Sequence, residues 1–520
     1  MQKFWYWFWY LNSGFVRFVA RCFYTIRYCG KGKVVPNVKN PLLLKSATKL
    51  AEEIREGKLR SEDVVQAYMD RILEVEPYIN ATVDRCFLVA IEEARKVDSV
   101  IASGEYTKEE LAETKPLLGV PFTVKVLLQV KGLRCTGGSL LYADVRAEED
   151  SPAVALMKKA GAIVIATTNS AEMGMDFETN NLIHGKTCNP FDTHRTSGGS
   201  SGGESALIGA AGSVLGLGND LLGSVRVPSH FTGIFAHKPT QGLVPNLGCF
   251  PAPDPDIADF LYTGPMCRYA EDLVLSMRIL SAKSGMPVTF PEKVYFRSLK
   301  ICFMKEIHGL LVAPVHKEIV EALKCAVSHF QAYYFAEAKE VEMPTLYDAS
   351  RAILSTLMHG VKDLKATLTN GKEDFNERLD YLKCFFGKST LSKAPLRALN
   401  GAKIPLLCDK NKASKYQNLI KSWSEDFDLL LDDHTVLLMP TFPVTAPYHS
   451  EIFYFLPSTC YTSIFNVLGL PSTQCPLGYT SDGLPYGIQI VGRKNNDALT
   501  IACAIELESI FGGWKSPGSL

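Results

Sequence analysis

Residues 197–204 read Ser-Gly-Gly-Ser-Ser-Gly-Gly-Glu, the most unusual stretch of this 520-residue chain. Glycine and serine at this density are typical of a flexible linker. The flanking sequence argues against that interpretation, because a Gly/Ala-rich apolar stretch, Ala206 to Gly216, follows directly. A segment between domains would not be enclosed by core-like sequence. We therefore predict that residues 197–204 lie inside a folded domain.

Around this stretch, short apolar runs are separated by helical patterns. Such short runs are typical of buried strands, and the helix-like stretch Ser151 to Ala160 lies between two of them. The predicted strands are 120–124, 162–166, 214–217, 436–439 and 487–491. Strands that alternate with helices indicate an α/β fold whose sheet is covered by helices on both faces.

The pattern predicts one large domain at residues 43–520, preceded by two shorter segments. Gly32, Pro36 and Pro41 punctuate residues 31–42, and Gly30 directly precedes them; we interpret this segment as a linker. Residues 350–430 are helix-like and variable in character, and we interpret them as a cap or insertion. The formal net charge is zero, so no nucleic-acid partner is expected, because that binding requires a basic surface.

Residues 1–30 form a separate hydrophobic and aromatic segment, with an aromatic residue at every position from 4 to 10. In a helix, the polar residues of the remaining segment would share one face: Ser13, Arg17, Arg21, Tyr24 and Tyr28. This pattern favours a helix lying in a membrane interface, since charges near the centre of a spanning helix are costly. A short spanning helix, a buried helix and a cleaved signal are the alternatives. The signal is disfavoured because no small-x-small cleavage site follows.

The 14 cysteines are scattered, with no CxxC pair and no Cys/His cluster of zinc-binding spacing. We predict that they are mostly buried free thiols in a domain kept in a reducing compartment. No metal ion is expected.

Gly198 to Gly202 also matches G-x-S-x-G, the nucleophile elbow of α/β-hydrolases. That motif requires a strand immediately before it, whereas residues 189–195 look like a loop. It also requires a histidine downstream, and none is clearly placed. We therefore disfavour this interpretation.

The same stretch closely resembles the signature of the amidase signature family. The matching residues are Gly198 to Gly203 followed by Asp220, Gly223, Ser224, Arg226 and Pro228. Gly119 to Lys125 resembles the family's lysine strand, and Phe465 to Pro471 with Gly483 to Gln489 resemble its carboxy-terminal motifs. The resemblance covers nearly all of residues 42–515. It implies the family's fold, a large mixed β-sheet with helices on both faces.

The resemblance implies a Ser–Ser–Lys triad, with Lys125 as the base, Ser200 as the bridging serine in a cis peptide, and Ser224 as the nucleophile. This chemistry is coherent, because a serine hydroxyl needs a neighbouring base. A lysine serves as that base only when it is neutral, so desolvation must lower its pKa. Lys125 lies between apolar residues, which favours such a setting.

The resemblance further implies that backbone N–H groups at Leu221, Leu222, Gly223 and Ser224 hold the oxyanion. Ser201, Asp220 and Arg226 are expected to support the site. Leu222 stands where the family usually has a glycine. If that position requires a positive φ, Leu222 costs on the order of 1–2 kcal/mol and could crowd the acyl pocket.

Two further positions depart from the family. Asn219 replaces a usual serine or threonine of the hydrogen-bond network, and Val126 replaces a usual acidic residue. All three proposed triad residues remain.

Within the family, the chain is most similar to fatty-acid amide hydrolases of the second type. The implied substrates are fatty-acid primary amides or N-acylethanolamides, hydrolysed without a cofactor, and a homodimer is an open expectation. Two alternatives remain. One is a degenerate, weakly active or inactive homologue that binds lipid amides, and the other is the glutaminase-like subunit of a tRNA-dependent amidotransferase.

Overall fold

The structure is a computed structural model that describes residues 2–291, 294–296, 298–309, 311–360, 364–371, 375–401 and 413–519. Its strands are β1 (Thr82–Arg85), β2 (Pro121–Lys125), β3 (Ile163–Thr168), β4 (Asn180–Asn181), β5 (Gly185–Lys186), β6 (Cys188–Asn189), β7 (Asp192–Thr196), β8 (Leu215–Asp220), β9 (Phe235–Lys238), β10 (Tyr262–Cys267), β11 (Lys300–Phe303), β12 (Glu337–Glu340), β13 (Thr435–Pro440), β14 (Ser472–Tyr479) and β15 (Pro485–Gly492).

The helices are α1 (Gln2–Arg27), α2 (Ala47–Arg55), α3 (Ser61–Ile79), α4 (Phe87–Ser103), α5 (Lys108–Thr114), α6 (Pro152–Lys159), α7 (Gly202–Gly209), α8 (Arg226–Thr232), α9 (Pro255–Ala258), α10 (Glu271–Ser281), α11 (Lys317–Tyr334), α12 (Ala349–Gly360), α13 (Leu364–Thr369), α14 (Glu377–Phe385), α15 (Lys393–Gly401), α16 (Ala413–Leu430), α17 (Cys460–Val467) and α18 (Asp497–Phe511). Short 3₁₀ turns lie at Pro41–Leu44, Leu140–Tyr142, Glu172–Gly174, Pro344–Asp348, Glu451–Thr459 and Pro517–Ser519.

One large mixed sheet organises the domain, as the sequence predicts. Its described strands run in the order β1-β3-β2-β8-β10-β9-β14-β15-β13-β11-β12. The neighbours β3, β2 and β8 are parallel, whereas β10 pairs with β8 in antiparallel register. Every residue of β2, β3, β8, β10 and β13 is buried, so both faces of the sheet are covered. Because β2 and β8 are parallel, their carboxyl ends meet at one edge of the sheet.

The predicted strands are present, and β8 extends three residues beyond its predicted end. The apolar run 214–217 continues to Asp220, because Gly218, Asn219 and Asp220 pair with residues of β10. Strand pairing thus carries two polar residues into a buried strand, which a hydrophobicity pattern does not predict.

The prediction of a loop at residues 189–195 is wrong in part. Residues 192–196 form β7, which pairs with β6 just before the Gly/Ser stretch. This short pairing around a turn has no apolar alternation, so the sequence did not indicate it. A strand therefore precedes the Gly/Ser stretch, as a nucleophile elbow requires. The side chain that contacts the Ser200 hydroxyl, however, is Lys125 and not a histidine.

The segment predicted as a linker is held against the domain. The N–H of Gly32 donates to Asp192 Oδ1 at 2.9 Å, and the N–H of Val35 donates to the carbonyl of Pro190 at 3.1 Å. A Cβ on Gly32 would lie 2.6 Å from the backbone nitrogen of His194. Glycine is required here by close approach rather than by flexibility.

The predicted cap is present in the described part of residues 350–430, where α12 to α16 form it. Residues 361–363, 372–374 and 402–412 of this prediction lie outside the described part of the chain. One apolar cluster joins α13 and α15 to Met173, which lies beside the Gly/Ser stretch. The cap therefore covers the edge of the sheet where β2 and β8 end.

The amino-terminal helix α1 lies on the domain with its polar face inward. Arg17 Nη1 donates to the carbonyl of Leu311, and Arg21 pairs with the buried Glu451, each at 3.0 Å. Several apolar side chains remain exposed: Phe15, Phe18, Phe23 and Ile26. The side chains of residues 1–12, with the aromatic run, lie outside the described part of the structure.

No helix within the described residues has both the length and the apolar character needed to cross a bilayer.

Candidate active site

The two parallel strands β2 and β8 and the helix α7 bring the predicted triad residues together. Lys125 is the last residue of β2, and Ser224 follows the end of β8 by four positions. Ser200 lies two residues before α7 and follows a cis peptide bond with Gly199, as the resemblance implies. The three residues come from separate segments that meet at one edge of the sheet.

Lys125 is fully buried and makes short contacts. Its Nζ lies 2.7 Å from Ser200 Oγ and 2.5 Å from Asn219 Oδ1. Burial lowers the pKa of Lys125 from the ordinary 10.5 to about 7, against the opposing effects of Asp220, Cys249 and Glu204. A substantial fraction of this amine is therefore neutral near pH 7, as a lysine base requires.

The two serine turns are joined through the backbone. The N–H of Ser201 donates to the carbonyl of Ser224 at 3.2 Å, and Ser201 Oγ donates to the carbonyl of Asn219 at 3.4 Å. Ser200 and Ser224 line the same cavity. No hydrogen-bond partner of Ser224 Oγ is observed among the described residues.

Asp220 holds the turn that presents Ser224. Its carboxylate accepts from the N–H of Gly223 at 2.7 Å and of Val225 at 3.1 Å. The guanidinium of Arg226 donates to it twice, at 3.1 Å each. Burial alone would raise the pKa of Asp220, but Arg226 and these donors lower it to about 2. The carboxylate therefore stays ionised and fixes the turn, which is the supporting position expected for Asp220 and Arg226.

Asn466 and Gln489 complete this buried network, and the sequence did not assign them to the site. Asn466 Nδ2 donates to Asp220 Oδ1 at 2.9 Å, and Arg226 donates to Asn466 Oδ1 at 2.6 Å and to Gln489 Oε1 at 3.1 Å. Both lie in the carboxy-terminal motifs quoted for the family resemblance. A buried arginine needs several hydrogen-bond acceptors. Arg226 was therefore the one signal in the sequence that further polar residues should lie around it.

The prediction of backbone strain at Leu222 is wrong. The positive φ of the turn, +125°, falls on Gly223, whereas Leu222 has no positive φ. A Cβ on Gly223 would also lie 2.7 Å from Thr462 Cβ. The turn therefore requires one glycine, and the chain has it. Leu222 lines the cavity beside the turn, and crowding of an acyl pocket there stays a prediction.

Of the N–H groups predicted to hold an oxyanion, one already has a hydrogen-bond acceptor. The N–H of Gly223 already donates to Asp220. Those of Leu221, Leu222 and Ser224 have no acceptor among the described residues, and these three residues line the cavity. Three of the four predicted donors are therefore unpaired among the described residues, and the residues that carry them line the cavity.

The other two departures from the family have local explanations. Asn219 does not leave a gap in the network, since its Oδ1 accepts from Lys125. Val126 is fully buried. Neither residue places a charge beside Lys125.

Glu204, the last residue of the quoted stretch, is a buried carboxyl group that the sequence did not assign to the site. It accepts from the hydroxyls of Thr123 and Thr168, on β2 and β3. Burial raises its pKa to about 7. A Cβ on Gly216 would lie 2.5 Å from Glu204 Cδ. The group therefore holds α7 against the strand that carries Lys125.

A cavity of about 460 Å³ opens beside the triad. Its walls combine the 173–177 loop, the 249–254 segment, the turn after β8 and the cap. The apolar lining residues are Leu127, Met173, Met175, Phe177, Leu221, Leu222, Phe250, Ile257, Leu261, Leu354 and Leu364. A volume in this range is typical of small-molecule sites. These residues come from distant segments and share no motif, so the sequence did not predict them as a set.

Comparison with known proteins identifies the family of this chain. The family model described as Amidase matches residues 63–501. The chain is 39% identical over 492 residues to "Fatty-acid amide hydrolase 2-A" of Danio rerio, covering 93% of this chain and 92% of that protein. It is 37% identical to "Fatty-acid amide hydrolase 2" of Homo sapiens, covering 92% of each.

Solved structures share the fold. A bacterial aryl acylamidase of the amidase signature family superposes with a TM-score of 0.76 at 22% identity, covering 92% of this chain and 100% of that one. A structure of "Fatty acid amide hydrolase" superposes with a TM-score of 0.73 at 21% identity, covering 91% and 86%. From the family match and the identity to these relatives, the chain belongs to the amidase family.

Proposed function

We propose that this protein is a serine hydrolase that cleaves the amide bond of fatty-acid amides, either primary amides or N-acylethanolamides. The observation that carries the proposal is the buried Lys125, whose Nζ lies 2.7 Å from Ser200 Oγ at the wall of a largely apolar cavity. The names of the relatives at 37–39% identity support the substrate class.

In the proposed mechanism, neutral Lys125 accepts the proton of Ser200 while Ser200 accepts that of Ser224. Ser224 Oγ then attacks the amide carbonyl, and the N–H groups of Leu221, Leu222 and Ser224 bind the resulting oxyanion. Each such donor contributes about 2.7–4 kcal/mol to the transition state. The proton returns through Ser200 to the leaving nitrogen, the C–N bond breaks, and water hydrolyses the acyl-enzyme.

The apolar cavity wall is proposed to hold the acyl chain. Burial of each CH₂ group contributes about 0.8 kcal/mol, so a long chain supplies much of the binding energy. Leu222 contributes to this wall and therefore affects acyl-chain fit rather than the geometry of the turn.

The two alternatives are less well supported. The inactive homologue was motivated by strain at Leu222, which is absent. For the amidotransferase subunit, a relative of that name from Natranaerobius thermophilus is 29% identical, covering 89% of this chain. Free glutamine is small and polar, and the apolar wall offers it few partners.

Covalent labelling of the purified protein by a fluorophosphonate probe tests the proposal. We expect labelling of the wild type and its loss in Ser224→Ala and in Lys125→Ala. Ser99→Ala, at an exposed serine of α4, is the matched control and should label normally. The same proteins are then assayed with a fatty-acid primary amide and with glutamine. Absence of labelling in folded wild-type protein contradicts the proposal, and hydrolysis of glutamine alone favours the amidotransferase alternative.

We further propose that α1 attaches the enzyme to a membrane surface as an interfacial helix. Polar side chains of the helix and of the turn after it contact the domain: Arg21 pairs with Glu451, and Tyr28, which follows α1, stacks on Tyr448 with ring centroids 5.4 Å apart. Its apolar side faces outward, with Phe18 66% and Ile26 79% exposed. This arrangement is the reverse of an ordinary surface helix, whose apolar stripe faces the core.

Vesicle co-sedimentation tests the membrane proposal. We expect the full chain to bind vesicles, and binding to fall on deletion of residues 1–30 or in the variant Phe15→Asp/Phe18→Asp/Phe23→Asp. Leu88→Asp, at an exposed leucine of α4, is the control and should bind as the wild type does. Equal binding by the triple variant and the wild type contradicts the proposed face.

The homodimer and the reducing compartment stay predictions. The cysteines of the described residues are all free thiols. Sedimentation velocity of the detergent-solubilised protein tests for a dimer, and thiol labelling in cells tests for a reduced state.

A further inference from the structure

Lys125 has a second partner besides Ser200, and it is a residue in which this chain departs from its family. Asn219 Oδ1 lies 2.5 Å from Lys125 Nζ, and the backbone carbonyl of Asn219 lies 3.4 Å from the same atom. Asn219 lies next to the end of β8, and Lys125 ends the parallel neighbour β2. β2 and β8 are parallel neighbours, so both contacts lie where the two strands end side by side.

A neutral lysine amine has two N–H donors and one lone pair. The side-chain and backbone oxygens of Asn219 can accept the two N–H bonds, which leaves the lone pair for the Ser200 hydroxyl. We propose that Asn219 is a positioning residue, which orients the lone pair of Lys125 toward Ser200 without placing a charge beside it. The inference rests on the proposed function, since it assumes that Lys125 is the base.

An amide is suited to this role because of its hydrogen-bonding inventory. Its oxygen only accepts, so it does not compete with Ser200 for the lone pair, whereas a hydroxyl in this position could donate to it. The Nδ2 group of Asn219 lies 4.0 Å from Cys249 Sγ, which leaves Oδ1 facing the lysine.

The charged and titratable groups around Lys125 do not replace this contact. They are Asp220 on β8, Glu204 on α7 and Cys249 on the cavity wall. Asp220 is paired with Arg226, and Glu204 is bonded to Thr123 and Thr168. Among the described residues, only Ser200 and Asn219 form hydrogen bonds with Nζ.

The dependence of kcat/KM on pH in Asn219→Asp tests the inference. A carboxylate here should raise the pKa of Lys125 by about 1–3 units, so the alkaline rise in activity should move up by as much. Activity at pH 7 should fall roughly 5- to 500-fold and recover at alkaline pH. An unchanged profile, or an equal loss at every pH in folded protein, overturns the inference.

Asn219→Ala is the second variant and decides the question if Asn219→Asp does not fold. It removes the acceptor, so kcat should fall at least about 10-fold, in the range of a lost positioning contact. KM should be nearly unchanged, and the alkaline rise should not move up. A wild-type kcat in Asn219→Ala overturns the inference.

Asn40→Asp makes the same chemical change at an exposed helix-capping asparagine and should leave the profile unchanged. Failure of the proposed function is recognised separately, because wild type would then be inactive or insensitive to Lys125→Ala. If wild type is active and depends on Lys125, a null result at Asn219 overturns this inference alone.

Discussion

Replacement of Gly223 by alanine should disable the turn that presents Ser224. Gly223 has a φ of +125°, and a Cβ there would lie 2.7 Å from Thr462 Cβ and still closer to Thr462 Oγ1. That hydroxyl is not free to move, because it donates to the carbonyl of Leu222 at 2.5 Å. The substitution therefore forces either strain or a shift of the turn.

The magnitude follows from these contacts. A non-glycine residue in such a backbone conformation costs about 1–3 kcal/mol, and loss of the Thr462 hydrogen bond costs about 0.5–1.5 kcal/mol. A turn that shifts to avoid this strain misplaces the N–H groups of its neighbours. Loss of one oxyanion donor lowers kcat by about 10²–10³. We expect Gly223→Ala to lower kcat by that factor, with a stability loss of about 1.5–4.5 kcal/mol.

Steady-state hydrolysis of a fatty-acid primary amide measures kcat and KM, and denaturant unfolding confirms the fold. Leu222→Ala is the matched control, because this neighbouring position has no positive φ. It should change KM through the loss of cavity wall and leave kcat within about 10-fold. A Gly223→Ala protein with kcat within about threefold of the wild type would refute the proposed turn geometry.

Three further outcomes are expected. The pKa of Lys125 is lowered to about 7, and only the neutral amine acts as a base. We therefore expect kcat/KM to rise through pH 7. A rate that is flat from about pH 6 to 9 contradicts this where chemistry limits the rate. Asp220→Asn leaves the buried Arg226 without its counter-charge and should lower the free energy of unfolding by about 3–5 kcal/mol, as measured by urea denaturation; a loss below about 1 kcal/mol argues against the network. Burial raises the pKa of Glu204 from its ordinary 4.5 to about 7, so its contribution to stability is lost as pH rises through that range. Glu204→Gln should therefore lose less stability than the wild type between pH 5 and 8, by at most roughly 3 kcal/mol, and equal losses in guanidinium melts would contradict a buried neutral carboxyl.

Much of the fold could be predicted from local patterns. The runs that became β2, β3, β13 and β15 are short and mostly apolar, so they indicated buried strands directly. β7 and the end of β8 were missed for the opposite reason: their residues are polar, and only pairing with β6 and β10 makes them strands. Residues 31–42 were interpreted as a linker because of their glycine content. Position 32 requires glycine for another reason, since Asp192 and His194 lie directly against it.

For the site, the sequence by itself was enough to predict Lys125, Ser200 and Ser224 as a triad, through the family resemblance, because each lies in a motif that is contiguous along the chain. Only the tertiary structure decided that the positive φ falls on Gly223 and not on Leu222, that Asn219 accepts from Lys125, and which residues line the cavity. The lowered pKa of Lys125 lies between these two cases, because its apolar sequence neighbours indicated it, whereas its burial in the folded chain produces it. Hydrogen-bond partners, backbone angles and cavity walls depend on segments far apart in sequence, and a local pattern does not specify how such segments meet.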